Sequence, residues 1–522
     1  MTTFNELWIS ASTLGALEKK WFKSPSPIQE RAIPFLMNSD KDFIGQVATW
    51  TWKTAAFWIP IIENIDSKNK NVQAIILAPT RELALQVSDE ISSFGGDKEI
   101  KIATVYWWQP YKSQISSIKN WATIVVWTPG RVLDLINKNI LWLSDIRYFV
   151  LDEADEMLNM WFLDDIKKVL SVANQNAQKL FFSATMPKAI MQIANEYMRT
   201  PEIVQIETSQ QTQQLVSQYF IPVHYRDKDE VLKRLLLMYN DIHWIVFCNM
   251  KKDVDMVANN LSKSWVPVAW LHWDIEQRDR TKILDAFKKR RVRVLLATDV
   301  AARGIDVPDI SHVINYSLPQ DAEQYVHRIW RTWRAWSKWE AISLATPDES
   351  SKLMYIKKIT NATINQMDIP SIEDVQNQQF SSIQQSIHTV ITKGKHEHFL
   401  DNTKELLNNN SPEEIIWSLL YLYWKKSLSS DWKDIISPKI QLWWGEQNLF
   451  VWAWYERFNS KPELISHIAA ETWIDEIKIN NLRMKDKFSF ISMPYEDAQY
   501  VLYYYKKRNK TRPFITEAKQ KK

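Results

Sequence analysis

Cysteine and glycine are both scarce in this 522-residue chain. The single cysteine, Cys248, excludes a disulfide framework and a four-thiolate zinc site. It follows Val246 and Phe247 in an apolar run, where a lone cysteine reads as a small buried hydrophobe. Glycine occurs eight times, far below its usual share of about 7%. Net charge is small too: 65 Lys and Arg against 61 Asp and Glu leave +4, so attraction for nucleic acid has to come from local clusters. No apolar run approaches the ~18 residues of a spanning helix. The first twenty residues mix polar and acidic groups without an apolar centre. That predicts no secretory signal, no membrane partner and a cytoplasmic protein. Tryptophan, by contrast, is abundant, with 27 copies. Together with glycine it reaches about the share that glycine alone normally has.

Two copies of one alternating pattern run along the chain, whose length suits about three or four domains. Ala74 to Ala78, Ile124 to Val126, Tyr148 to Leu151 and Leu180 to Phe182 are short apolar runs separated by amphipathic stretches. Such runs predict buried parallel strands in βαβ units. After a Gln-, Ser- and Thr-rich stretch, Glu207 to Gln218, the pattern restarts. Its second set is Ile245 to Cys248, Val266 to Ala269, Val292 to Ala297, Val313 to Tyr316 and Ala341 to Ala345. The expected organisation is an α/β domain over 1–207, a linker over 208–218 and a second α/β domain over 219–365. A polar helical region over 366–440 and a small α+β domain over 441–522 follow.

Residues 45–54, Gly-Gln-Val-Ala-Thr-Trp-Thr-Trp-Lys-Thr, lie between the apolar Phe43-Ile44 and the helix-like Ala55-Ala56-Phe57. A strand, a loop ending in Lys-Thr and a helix form the setting of a phosphate-binding loop. Backbone N–H groups and the helix N-terminus there converge on phosphate oxygens. Asp152-Glu153-Ala154-Asp155 follows an apolar strand directly. Adjacent carboxylates in that place suit a hydrated Mg2+ and an activated water. The alternative is a pair of acids satisfying a helix N-terminus.

Further motifs follow in order. They are Phe22 with Pro25-Ser26-Pro27-Ile28-Gln29, Pro79-Thr80-Arg81-Glu82-Leu83-Ala84, Thr128-Pro129-Gly130-Arg131 and Ser183-Ala184-Thr185. Beyond the linker come Gln277-Arg278-Asp279-Arg280, Ala301-Ala302-Arg303-Gly304-Ile305-Asp306 and His327-Arg328-Ile329-Trp330-Arg331-Thr332-Trp333-Arg334. The set resembles the DEAD-box RNA helicases, in order and spacing, over about residues 1–365.

The resemblance implies two tandem RecA-like P-loop domains, an RNA-stimulated ATPase that unwinds short duplexes, ATP and Mg2+ as cofactors, and RNA as partner. Gln29 would read adenine and Phe22 stack on it, with core packing as the alternative for Phe22. Ala48, Thr49, Trp50, Thr51, Trp52, Lys53 and Thr54 would cradle the phosphates. Thr54 and Asp152 would hold Mg2+, and Glu153 would deprotonate the attacking water. Arg331 and Arg334 would reach the γ-phosphate and Asp306 the ribose. His327 and Arg328 would tie the nucleotide site to the domain interface, with Phe247 packed near them. Ser183, Thr185 and Asp155 would couple hydrolysis to strand separation. Contacts to RNA phosphate and sugar are implied for Pro79, Thr80, Arg81, Trp107, Trp108, Thr128, Gly130, Arg131, Gln277, Arg280 and Thr298. Binding of that kind is largely sequence-independent and salt-sensitive. A DNA helicase is another reading, opposed by the Asp-Glu-Ala-Asp tetrad and the Gln29 motif.

The departures from the family are systematic. Tryptophan stands in the family's glycine places at Trp21, Trp50, Trp52, Trp107, Trp108, Trp127, Trp161, Trp273, Trp330, Trp333 and Trp336. Indoles at 50 and 52 would fill the phosphate cavity and strain a turn that needs glycine. Random drift would not choose one replacement. Some bacterial lineages read UGA as glycine, and a table reading UGA as tryptophan would write this chain. The expectation is that nearly all 27 tryptophans are glycines in the living protein. If they are literal, the chain is a catalytically impaired RNA clamp or annealer. Val47 departs separately: a β-branched residue stands where the family has Ala or Gly.

The C-terminal third is similar in order to the RRM-like domain of DbpA-type bacterial DEAD-box proteins. Lys487, Phe488 and Phe490 are either a platform for bases or alternating core residues. From Lys506 to Lys522 eight basic residues accompany one acid, a candidate RNA contact. Within 366–440, residues 380–440 resemble the helical region of DeaD/CsdA-type helicases that can dimerise. Ile415, Leu419, Leu420 and Leu422 give the apolar face, with intramolecular packing as the alternative. The implied target is structured RNA, ribosomal precursor or messenger, in ribosome assembly, RNA turnover or cold adaptation.

Overall fold

The structure, a computed structural model, describes residues 3–518 apart from 21, 23, 48–50, 95–99, 107–110, 129, 160–161, 207–215, 240–241, 264–265, 303–304, 306–309, 330–338, 394–399, 428–431, 433–434, 436, 439–445, 453–457, 459, 486–487 and 510–512. Contacts divide the chain into two units, Met1–Gln213 with Ala302–Asp306 and Gln214–Ala301 with Val307–Lys522.

The first unit is built on seven parallel strands: β1 (Phe43–Gln46), β2 (Ala74–Leu77), β3 (Ile102–Val105), β4 (Ile124–Trp127), β5 (Tyr148–Leu151), β6 (Gln178–Ser183) and β7 (Glu202–Gln205). Their order is β3-β4-β2-β5-β6-β1-β7. Side chains alternate between two faces, and both faces are covered. Ile75, Leu77, Val125, Phe149 and Leu151 enter one core, while Ala74, Ile76, Ile124, Val126 and Val150 enter the other. That is why these strands read as unbroken apolar runs.

The second unit repeats the plan with β8 (Val216–Pro222), β9 (Trp244–Cys248), β10 (Val268–Leu271), β11 (Val294–Thr298), β12 (His312–Asn315), β13 (Trp339–Ala345) and β14 (Ile364–Gln366). The order is β10-β11-β9-β12-β13-β8-β14, also parallel. Counted from the first strand of each sheet, the two orders are identical. Residues 216–218 fall in the linker by composition, yet they begin β8. Gln218 is buried there and accepts a hydrogen bond from Tyr325 Oη at 3.0 Å.

Helices Ile372–Thr392, Leu400–Asn409 and Pro412–Ser427 form an arm after the second sheet. Its two ends rest on that sheet's core. Val375 is buried in it, and Trp432 and Ile435 pack against it. The last described part of the unit is a four-stranded antiparallel sheet: β15 (Glu446–Val451), β16 (Asn480–Met484), β17 (Ser489–Pro494) and β18 (Ile515–Glu517), in the order β16-β17-β15-β18. Helices Lys461–Thr472 and Tyr495–Arg508 complete a β-α-β-β-α-β succession, the split βαβ plan. Leu449, Val451, Ile491 and Met493 face these helices. Phe450, Phe488 and Phe490 stay outside that core and pack on one another, with ring centroids 5.1–5.5 Å apart. They are partly exposed, so the core alternative for Phe488 and Phe490 does not hold.

Nine described residues other than glycine have positive φ, and three of them are tryptophan: Trp8 at 60°, Trp121 at 68° and Trp473 at 58°. Trp8 ends the turn Phe4–Leu7, Trp121 follows the helix Tyr111–Lys119, and Trp473 caps Lys461–Thr472. Left-handed residues at helix ends are usually glycine, and bulky side chains there are strained.

Candidate nucleotide and RNA site

Parallel sheets carry their ligands on loops leaving the carboxyl ends of the strands. In the first unit every described motif residue outside the Phe22–Gln29 stretch lies there. β1 leads through residues 47–50 into the helix Thr51–Asn64, which bears Lys53 and Thr54. Ala48, Thr49 and Trp50 lie outside the described residues, as do the side chains of Thr51 and Trp52. Gly45 on β1 has no room for a side chain, since a Cβ would stand 2.7 Å from Phe182 Cε1. Val47 N–H donates to Ser183 O at 3.0 Å, which ties the start of the loop to β6.

Lys53 is buried, and its Nζ has no hydrogen-bond partner among the described residues. Burial holds its ammonium below the ordinary lysine range, while Asp155, Asp152, Glu153 and Glu156 oppose that shift. Asp152 is buried as well, which pushes its carboxyl up to about 6 against the pull of Lys53. An unpaired buried cation beside several carboxylates lacks a ligand of its own. It fits a polyphosphate carrying a divalent cation, which Asp152 and Thr54 would hold and which, when bound, neutralises phosphate charge.

Glu153 sits in the left-handed region at φ 50°. Such a conformation costs roughly 1–2 kcal/mol for a residue with a Cβ. It is fixed from both sides. Its N–H donates to Asp152 Oδ1 at 3.0 Å, and its carbonyl accepts from Glu156 N–H at 3.0 Å and Met157 N–H at 3.3 Å. Asp155 is stapled to the end of β6. Its N–H donates to Ser183 Oγ at 3.1 Å, and its Oδ2 accepts from Thr185 N–H at 2.8 Å and Thr185 Oγ1 at 3.0 Å. Three hydrogen bonds thus tie the tetrad to Ser183-Ala184-Thr185.

Gln29 is buried, and its Oε1 accepts from Ser26 N–H at 2.9 Å, closing a capping box on the helix Pro27–Asn38. Phe22 is half-buried and meets Phe4 and Phe94 edge-on, at 6.4 and 5.6 Å. Pro79, Thr80 and Arg81 follow β2, and Thr128, Gly130 and Arg131 follow its neighbour β4. Arg81 lies over Tyr106 at 4.3 Å, and its buried Nε has no partner among the described residues. Arg131 lies over Tyr111 at 4.7 Å. Gly130, at φ 92°, starts the helix Arg131–Asn137. Trp107 and Trp108 lie outside the described residues.

The strand order sorts these loops. Candidate RNA residues leave β4 and β2, and residues 107–108 follow β3; candidate nucleotide residues leave β5 and β1, with the coupling candidates Ser183 and Thr185 at β6 between them. The boundary falls between β2 and β5. The second unit sorts its own in the same way. Gln277 and Arg280 are on the helix after β10, and Thr298 ends β11. His327 and Arg328 are on the helix Ala322–Ile329 after β12. Thr298 Oγ1 is buried without a partner among the described residues. Arg280 is nearly buried and donates to Ala301 O at 2.6 Å. Arg331, Arg334 and Asp306 lie outside the described residues.

Arg328 is 1% exposed and grips Asp299 with two hydrogen bonds, at 2.5 and 2.7 Å. It also donates to Asn315 Oδ1, Ser317 O and Asn249 Oδ1 at 3.1, 2.7 and 2.9 Å. Phe247 packs under it at 5.1 Å. All five of its N–H groups are spent inside the unit, so Arg328 positions rather than contacts. The sequence motif implied a coupling role for it but none of these hydrogen-bond partners.

Comparison with known proteins agrees with this geometry. Residues 26–193 match the DEAD/DEAH box helicase model, and residues 227–336 match the helicase conserved C-terminal domain. The chain is 40% identical over 394 residues to the DEAD-box ATP-dependent RNA helicase CshA of Geobacillus kaustophilus, covering 75% of this chain and 84% of that protein. It is 41% identical over 423 residues to the protein of the same name from Streptococcus pneumoniae, covering 80% of each. Among solved structures, S. cerevisiae Dbp5 bound to RNA and ADP BeF3 matches with a TM-score of 0.65 at 30% identity, over 73% of this chain and 100% of that one. The DEAD-box helicase Mss116 bound to ssRNA and UDP-BeF matches with a TM-score of 0.63 at 25% identity, over 75% of this chain and 88% of that one. With the tetrad, the phosphate-loop lysine and two RecA-like sheets of one strand order, the chain belongs to the DEAD-box ATP-dependent RNA helicases.

Proposed function

We propose that the chain separates short RNA duplexes locally, driven by ATP binding and hydrolysis. The observation that carries this reading is the buried ammonium of Lys53, without a hydrogen-bond partner among the described residues, beside Asp152, Glu153, Asp155 and Glu156. Lys53 and Thr54 hold the triphosphate, Glu153 takes the proton of the attacking water, and Arg331 and Arg334 meet the γ-phosphate. Asp155, pinned to Ser183 and Thr185, passes a change at the phosphate to the end of β6. RNA lies along the loops after β4 and β2 and along Gln277, Arg280 and Thr298.

The small C-terminal domain holds structured RNA, ribosomal precursor or messenger. Phe450, Phe488 and Phe490 form the partly exposed aromatic surface that supports this. Stacking on such rings contributes roughly 1–3 kcal/mol per base. The basic end contributes less than its composition suggests, because Lys507 pairs with Asp321 and Arg508 with Glu471.

The test is ATP hydrolysis by the chain carrying glycine at all 27 tryptophan positions, with RNA, with DNA and without nucleic acid. RNA alone should stimulate, and Lys53→Ala should abolish turnover. Equal stimulation by DNA would replace the RNA reading. Tight RNA binding with no turnover would make the chain a clamp.

A further inference from the structure

The loop between β12 and the helix of His327 and Arg328, residues 316–321, is held from two sides. From within the sheet domain, Arg328 donates to Ser317 O at 2.7 Å. Asn249 Nδ2 and Lys352 Nζ donate to Leu318 O at 3.0 and 2.8 Å, and Lys228 Nζ donates to Tyr316 O at 2.9 Å. From the C-terminal domain, Tyr503 Oη donates to Gln320 O at 2.9 Å and Lys507 Nζ pairs with Asp321. Tyr503 and Lys507 lie one turn apart on the helix Tyr495–Arg508, so one face of that helix reaches the loop.

The rest of the seam makes the grip firm. The same helix packs along Ser350–Thr360, the helix after β13. Tyr355 stacks on the buried Tyr500 at 5.6 Å and meets Tyr503 at 4.9 Å. Lys358 pairs with the largely buried Asp497, and Ser351 Oγ donates to Gln499 Oε1. Tyr355 belongs to the packing of both the sheet-domain core and the small-domain core. Helix Tyr495–Arg508 therefore lies between Ser350–Thr360 and the inner face of its own sheet. The ring cluster of Phe450, Phe488 and Phe490 is on the opposite face.

We propose that this loop couples the C-terminal domain to the arginine motif, with Tyr503, Lys507 and Asp321 as positioning residues for ATP hydrolysis. RNA held by the C-terminal domain bears on the helix Tyr495–Arg508. That helix holds Gln320 and Asp321, the last two residues before Ala322–Ile329. Any displacement reaches His327 and Arg328 through one rigid turn, because Arg328 is buried and fully bonded. The inference rests on the RNA-dependent ATPase proposed above, and the test separates the two.

The test uses the full chain with glycine at all 27 tryptophan positions and two RNAs: a blunt duplex, and the same duplex with a tail that folds into a second stem-loop. The first readout is the ratio of kcat with the tailed RNA to kcat with the blunt one, together with KM for ATP. Asp321→Asn and Tyr503→Phe together should lower that ratio on the order of five-fold, the low end of coupling between sites, with KM unmoved. The exchanged pair Asp321→Lys with Lys507→Asp should recover most of it. The second readout is amide exchange over residues 316–329, which the tail should slow in the unaltered chain and not in the double variant. An unchanged ratio, or exchange there indifferent to the tail, overturns the coupling. If neither RNA stimulates ATPase, the function proposed above fails, and the exchange readout still decides the coupling alone.

Discussion

At the scale of single residues, the chain asks whether its tryptophans are real. Glycine is irreplaceable at Gly45, where a Cβ would collide with Phe182. At Trp8, Trp121 and Trp473 the backbone takes the left-handed form that glycine adopts freely and an indole-bearing residue does not. Trp473 is 88% exposed, so no packing of its ring offsets the strain. Trp127 and Trp244 are buried with indole N–H groups that have no partner among the described residues. Each such donor costs roughly 1–3 kcal/mol. These independent signs join the motif argument at 50 and 52, and all favour glycine in the living protein. The prediction is that the gene carries TGA at both positions, and that the protein purified from its own host lacks the absorbance of 27 indoles. TGG at either position would refute it.

At the scale of elements, strand order separates two groups of candidate binding residues on one sheet edge. Candidate RNA loops and candidate nucleotide loops leave opposite halves, and the Asp152-Glu153 loop stands at their boundary. Thr298 tests this in the second unit. Its hydroxyl is buried at the end of β11 without a partner among the described residues, so it has a donor to give. Thr298→Val keeps the shape and removes that donor. The RNA concentration for half-maximal ATPase should rise about five-fold, the worth of one hydrogen bond, while KM for ATP stays put. A shift in KM for ATP with RNA dependence unchanged would move Thr298 to the nucleotide side.

The same scale shows what the sequence could reveal. Strands buried on both faces, such as Ala74–Leu77 and Tyr148–Leu151, stood out as apolar runs within a residue of their observed limits. Among edge and near-edge strands, β4, β10 and β11 were found and several others were not. β7 is mostly exposed, and β8 opens with Val216, Ser217 and Gln218, which composition placed in a linker. β3, β14 and β18 are only three or four residues long. β16 contains Asn480, Asn481 and Arg483, and its neighbour Ile477-Lys478-Ile479, strand-like by composition, turns out to be a 3-10 turn ending at Lys478. Motif residues were legible because loop chemistry needs particular residue types. The bonding of Arg328 and the grip on residues 316–321 were not, because both depend on partners far away in the chain.

At the scale of the whole molecule, the arm of residues 366–440 has more apolar surface than its own packing uses. Ile387 and Ile391 on its first helix, Leu406 and Leu407 on its second, and Ile416, Leu419 and Leu422 on its third are exposed. Leu419 and Leu422 are 58% and 61% accessible, so intramolecular packing leaves both open. Ile415 and Leu420, from the same predicted face, are only part-buried. Monomers rarely show apolar patches beyond a few hundred Å2. A two-fold contact between copies would cover this one with a single self-complementary surface. The arm meets the second sheet domain through Val375, Trp432 and Ile435. Light scattering on the full chain at micromolar concentration should give twice the chain mass. Leu419→Lys with Leu422→Lys should halve it, because two buried lysines per copy would have no partners. RNA-stimulated ATPase per chain should stay within about two-fold, as expected for sites without shared contacts. A native chain that runs as a monomer would leave the patch for another partner and end the dimer reading.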